Sequence, residues 1–556
     1  MPYHRQSAPV LPAAHELAAT DSITTGLFRH VAESFILLAI AVALFRGFFA
    51  EGFMISTGSM APALLGYHRR VVCPECHFQF ARGAAVETEQ DYRRIAQGSY
   101  DIGLQDPPLI RCPSCAFTDI AFQELPRTEG DQLLVHKHAY EFRDPRRWEV
   151  IVFRNPDDPR EAYVKRVAGL PGEQIEIRDG EVFANGILCR KPLETQRGMK
   201  VPVSRWENQT LGTDPDARSG WVSLEKDSCW RSEGASLSLR SREFHPETPI
   251  DWISYRHWGR AGGQHESVVP LAEWPREAAI PKDSFSPLSY RSGELAYVGI
   301  MTDVERRTWL SRADDPAFHD AMNRLYEKSH LVGVVDESGY NAVDEAREHP
   351  VDEFFLSLTL KDLKGTGRFE IQLRDTENVF TAVIDFGQKE CRLLRNDELV
   401  QQTSLPDSLN ASSMDVEFSL FDNQALLALN GDVPFPPFQY ETMETPQPVS
   451  QPVRFGAAQL DCTVHNVNLS RDVYYVTRTE QGPGNTVLAD NEFYVLGDNS
   501  PVSVDSRVWA KPGVPRRALI GKPLVVHLPS SSCRVVWNGT PHDFRIPDFS
   551  RARLIR

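Results

Sequence analysis

No uninterrupted apolar run in this sequence is long enough to cross a bilayer. The one candidate, Phe35 to Phe45, has eleven residues, against the roughly 20 a spanning helix needs. A polytopic membrane protein is not indicated. An excess of positive charge is lacking too, since 60 Lys and Arg stand against 76 Asp and Glu, a net charge of −16. Such a surface repels a polyanion, so no nucleic acid is expected as a partner. Bias toward disorder is also missing: 41% hydrophobic and 24% charged residues are close to globular averages. At 556 residues the chain exceeds what one core holds, so two or more folded units are expected.

The apolar run can still be extended into a single span, from about Val31 to Ala50, with Glu33 and Arg46 snorkelling at its ends. Its length alone fits a cleaved signal peptide or a buried core helix equally well. A motif of catalytic type follows it directly, which favours a retained anchor over 31–52. Arg5 and Arg29 before the span place the N-terminal segment, 1–30, on the cytoplasmic side.

Beyond the span, Leu133–Val135, Val150–Phe153, Tyr163–Val167 and Ile175–Ile177 are short, Val- and Ile-rich, and separated by Gly, Pro and Asp turns. Glu181–Ala184 runs into Asn185-Gly186, a hairpin signal. Strand signals return at Glu492–Leu496 and Leu519–Val526. The reading is a mainly β catalytic unit split by insertions.

Ser59 stands between Gly58, which permits close backbone approach, and Pro62, which fixes the chain direction just after it. By itself that pattern is an ordinary turn. Lys165 adds the chemistry. In Tyr163-Val164-Lys165-Arg166-Val167, strand alternation puts it on one face with Tyr163 and Val167, and Arg166 on the other. Desolvation there lowers a lysine pKa and yields a neutral amine able to deprotonate a serine. The bland alternative is an edge lysine snorkelling from a half-buried strand.

Several boxes then occur in the order seen in type I signal peptidases: Gly58-Ser59-Met60-Ala61-Pro62-Ala63-Leu64, Gly130-Asp131-Gln132-Leu133-Leu134-Val135, Trp148–Phe153, Tyr163–Glu173 and Gly497–Arg507, with Gly521-Lys522 following. The chain resembles that family over about 53–70, 128–190 and 490–525, a minority of its length. The resemblance implies a membrane-bound Ser/Lys-dyad serine endopeptidase with Ser59 as nucleophile and Lys165 as general base. It would cleave exported preproteins after small residues at −1 and −3, outside the cytoplasm at the inner membrane, with no catalytic cofactor. By position, Thr57 joins the Ser59 amide in the oxyanion hole, Ser503 orients the lysine, Asp505 and Arg507 form an organising pair, and Asp498 supports the same loop. For Ser503, Asp505, Arg507 and Asp498 a polar loop role is the competing reading. Ser56, Ala63 and Ala510 depart from the family pattern without removing a reacting group.

Four of nine cysteines form Cys73-x2-Cys76 and Cys112-x2-Cys115, the spacing of a structural zinc ribbon, here over 71–118. Their spacer is longer than usual, with a Glu- and Arg-rich surface excursion expected at Glu87–Arg94. Disulfides are the alternative in an oxidising location. Four thiolates leave no open position for catalytic zinc. Cys189, Cys229, Cys391, Cys462 and Cys533 show no paired spacing.

The remainder divides into catalytic core at 53–196 and 488–530, an insertion of unassigned role at 197–330, a β-sandwich insertion at 331–480 and a tail at 531–556. Alternating apolar segments such as Phe369–Leu373 and Val416–Phe421 suggest the sandwich. It loosely resembles laminin-G or concanavalin-like jelly rolls, and an unidentified ligand of this insertion is among the expected partners, with membrane lipid. The rival to a peptidase is a membrane-tethered binding protein with a vestigial peptidase core. A self-cleaving repressor would need a DNA-binding segment in place of the apolar anchor.

Overall fold

The structure, a computed structural model, describes residues 29–555 apart from 43, 45–46, 48, 85–109, 118–119, 121–124, 157–158, 207–219, 224–226, 241–248, 259–265, 280–285, 342–348, 406–412, 444, 478–484, 528 and 539. The N-terminal segment 1–28 and the excursion expected at Glu87–Arg94 lie outside the described residues. Residues 29–42 are helical. Their apolar side chains point outward, with Phe35 72% and Leu37 67% exposed. Among the described residues no helix is long and apolar enough to cross a membrane.

The core sheet is antiparallel and runs Ala50–Met54, Gln132–His136, Leu519–Val526, Val150–Arg154, Ala162–Gly169, Glu492–Leu496, Gly513–Pro515. Two sequence regions separated by more than 300 residues are therefore interleaved strand by strand. Leu519–Val526 lies between Gln132–His136 and Val150–Arg154, and Glu492–Leu496 pairs with Ala162–Gly169. Alternate apolar residues explain the arrangement: Leu133, Val135, Val150, Val152 and Val526 form one buried cluster, and Ile151, Phe153, Val167, Phe493 and Val495 another. The Asn185-Gly186 turn has φ of 52° and 78°, the positive pair that a tight hairpin needs, and it joins Glu181–Ala184 to Ile187–Leu188.

The inserted β unit differs from the expectation in extent and in form. One continuous network of thirteen strands takes the place of two separate sheets. Its spine is the pair Phe354–Arg374 and Val453–Arg471, whose register shifts at three places. Such bulges bend and twist a strand, so the two ends of Phe354–Arg374 find different partners, Ser413–Phe421 and Val379–Asp385. Strands from 201–255 join this network: Val201–Arg205, Ser236–Leu239 and Asp251–Tyr255 all pair with Val453–Arg471. The boundary expected at 330 is thereby displaced. Trp206, Trp221 and Trp230, fully buried against Phe455 and its neighbours, are why. Within 197–330, the described residues of 266–330 form a unit of their own, a three-stranded sheet under the helices Asp303–Leu310 and Pro316–His330.

The C-terminal residues are more than a tail. Ser530–Trp537 and Thr540–Pro547 make a hairpin, and Arg553–Leu554 extends the core sheet beside Leu519–Val526. Arg551 reaches Asp131 at 3.0 Å and Arg553 donates to the Ala63 carbonyl.

Candidate active site

The Ser59 loop follows from the spacing of its apolar residues. Met60 and Leu64, four apart and joined by a backbone hydrogen bond of 2.7 Å, are both buried in the core cluster. Ser59, one residue earlier, is left at the edge of the core. Asp131 closes the loop from both sides: its carbonyl accepts from Ile55 N at 2.9 Å, and its carboxylate accepts from Leu65 N at 3.0 Å.

Lys165 lies opposite Ile151 in the strand register. Its Nζ is 2.6 Å from Ser59 Oγ, and the residue is only 4% exposed. Burial lowers its pKa to about 8; Asp505 pulls the value up and Arg507 pushes it back down. A neutral amine is thus accessible near neutral pH, within reach of a hydroxyl. Asp505 is fully buried, which would raise its pKa, but Arg507 holds it below the usual carboxylate range. The Asp505 carboxylate accepts from Arg507 at 2.7 and 2.9 Å and from Gly497 N at 2.9 Å.

Ser503 is buried beside this pair, and its hydroxyl makes no hydrogen bond to Lys165. A Cβ on Gly497 would run into both the Ser503 side chain and the Ser59 carbonyl, so only glycine lets the two loops meet. Asp498 sits on the far face of the lysine strand, where Arg166 donates to it at 2.8 and 2.7 Å with both side chains buried. Thr57 is exposed in the turn leading to Ser59. Three residues near this centre escape the sequence reading as site residues. Arg166 could have been suspected from its place beside Lys165, and Asn499 lies inside the last box. Asn341, which meets Asn499, carries no local signal.

The two cysteine pairs converge. Cys73 and Cys115 Sγ are 3.6 Å apart, as are Cys76 and Cys112 Sγ, and all four sulfurs lie within 4.8 Å of one another. Disulfide sulfurs would be about 2.05 Å apart. A tetrahedron of zinc–sulfur bonds near 2.3 Å sets them about 3.8 Å apart. Each pair sits in the same turn: His77 N bonds to Cys73 O and Ala116 N to Cys112 O, with φ of 58° and 55° at His77 and Ala116. The donor set fits one zinc ion.

Residues 125–230, the stretch holding Lys165, match the family model for signal peptidase, peptidase S26. This stretch is similar to that family. Similarity to curated relatives extends the match. The chain is 37% identical over 99 residues to signal peptidase I of Leptolyngbya laminosa, covering 16% of this chain and 46% of that one. It is 38% identical over 168 residues to signal peptidase I of Pseudomonas aeruginosa, covering 28% and 52%. The chain spans about half the length of these relatives or less. Among solved structures, the carbohydrate binding module CBM66 from Bacillus subtilis is 12% identical, covering 21% of this chain and 75% of that one at a TM-score of 0.18, a likeness too slight to assign the inserted unit.

Proposed function

We propose that this chain is a membrane-anchored serine endopeptidase that removes N-terminal signal peptides from exported preproteins. Neutral Lys165 takes the Ser59 proton, the alkoxide attacks the scissile carbonyl, and the Lys165 ammonium gives that proton to the leaving amine as the C–N bond breaks; a water deprotonated by the same, again neutral, amine then hydrolyses the acyl-enzyme ester and the Ser59 oxygen recovers its proton from Lys165. The Ser59 amide and the Thr57 hydroxyl serve the oxyanion, while Asp505 and Arg507 set the charge around the lysine. The observation that carries this reading is the 2.6 Å approach of a buried Lys165 amine to Ser59 Oγ. The family match of 125–230 supports the substrate class. Residues 31–52 would hold the enzyme in the inner membrane with the catalytic unit outside the cytoplasm.

The test compares cleavage of a preprotein by wild type, Ser59→Ala and Lys165→Met in detergent. Each variant should lose at least about a thousandfold in rate; undiminished cleavage by either sinks the dyad. The four cysteines are assigned to a structural zinc with no part in catalysis. Elemental analysis should find about one zinc per chain, lost when Cys73 and Cys76 become Ser. Metal-free native protein with those thiols oxidised would favour disulfides.

A further inference from the structure

The inserted region reaches the nucleophile loop itself. A strap, residues 336–341, leaves the large insertion and touches the core within a few residues of Ser59. Tyr340 packs with Ala61 and Leu65, and its hydroxyl donates to the Tyr67 carbonyl at 2.8 Å. A Cβ on Gly58 would fall against the Tyr340 ring, 2.7 Å from Cδ1. The residue before the nucleophile must therefore be glycine partly because a side chain from the insertion occupies that space.

Asn341 then pairs with Asn499 through two amide hydrogen bonds, of 2.7 and 2.8 Å. Asn499 in turn holds both carbonyls flanking the reacting hydroxyl: its Nδ2 donates to Gly58 O at 2.9 Å and its backbone N to Ser59 O at 3.0 Å. The strap is anchored elsewhere. Glu337 accepts from Arg111, beside the cysteine cluster, at 2.9 and 3.0 Å, and its carbonyl accepts from Arg471 of the inserted sheet at 2.8 Å.

We propose that Asn341 and Tyr340 are positioning residues for Ser59, acting through Asn499 and Gly58, so that the inserted region is part of the catalytic apparatus. The proposal rests on the reading of Ser59 and Lys165 as the reacting pair. An amide pair satisfies donor and acceptor on both sides, so deleting one partner leaves Asn499 Oδ1 without the Asn341 donor and lets its amide drift from Gly58 O. Small displacements of a nucleophile are costly in rate and nearly neutral in binding.

The test uses the full chain in detergent with a peptide carrying Ala at −3 and −1 before the scissile bond. For Asn341→Ala, kcat should fall about tenfold with KM within about twofold. Asn341→Asp keeps an acceptor for Asn499 Nδ2 but sets a carboxylate oxygen against Asn499 Oδ1, so kcat should fall at least as far. For Asn341→Ala the pH midpoint set by Lys165 and the melting temperature should stay at wild-type values. A wild-type kcat in either folded variant overturns the proposal, as does a loss expressed only in KM. Should Asn341→Ala fail to fold, Asn341→Asp carries the test. Ser59→Ala in the same assay separates the two claims: if it cleaves, the dyad reading fails; if it is inactive while Asn341→Ala is unimpaired, only the strap fails.

Discussion

Two lysines in this chain are equally buried and oppositely tuned. Around Lys165 the nearest group is a neutral hydroxyl, Ser59 at 2.6 Å, and the nearby carboxylate of Asp505 is engaged by Arg507. Its pKa falls to about 8. Around Lys191, at the junction of the core with the inserted sheet, Asp422 and Asp472 both contact the ammonium, the latter at 2.9 Å. Burial would lower this pKa as well, yet the two aspartates, with Glu181 and Glu353 behind them, hold it well above the ordinary value. Desolvation supplies the same push in both places. What separates a lysine with a lowered pKa from a structural cation is whether an arginine has already claimed the local carboxylate.

The comparison breaks first at Lys191. Replacing it with Met strands buried carboxylates, and unfolding free energy should drop by about 3–5 kcal/mol, read by denaturant titration at pH 7. A neutral result would mean the cluster is already uncharged. At Lys165 the sign reverses. Its folded pKa, about 8, lies below the unfolded value near 10.5, so the unfolded chain binds more protons between those limits and stability rises with pH across that window. Below pH 8 the lysine costs up to about 3 kcal/mol. Lys165→Met should therefore be more stable than wild type at pH 7 by up to that amount, the gap closing as pH rises toward 10.5. Equal stability at both pH values would refute a strained lysine. The smallest expected effect sharpens the comparison: Arg507→Met removes the charge that offsets Asp505, so the rising limb of kcat/KM should move from near pH 8 to higher pH. A shift to lower pH would reverse the assigned role.

The nearness of Ser59 and Lys165 could be read before the fold because its information is local. Ser59 and Lys165 each lie in a run of a dozen residues whose spacing already encodes a turn and an alternating strand, and Met60 and Leu64 mark the buried side of the loop. The 125–230 match covers Lys165 without covering Ser59 or the 497–507 loop, so the box order carried those. Pairing across long separations was hidden. Nothing around Trp221 indicates that its strand lies beside Asp251–Tyr255 and, through it, Val453–Arg471. Nor does any pattern at 340 or 341 mark a neighbour of Gly58. Ser503, whose place in the last box implied that it orients the lysine, lies buried without a hydrogen bond to Lys165.

The contact from Arg553 to the Ala63 carbonyl joins residues 490 apart in sequence, and Asp505 follows Lys165 by the whole length of the insertion. During synthesis, then, Ser59 and Lys165 emerge more than 300 residues before the Asp505–Arg507 pair and the Asn499 clamp that complete their surroundings. Closing such distant contacts is slow. The surroundings proposed to tune Lys165 are thus completed only after that long intervening segment has been made, and until then Ser59 and Lys165 stand without the groups that set their charge.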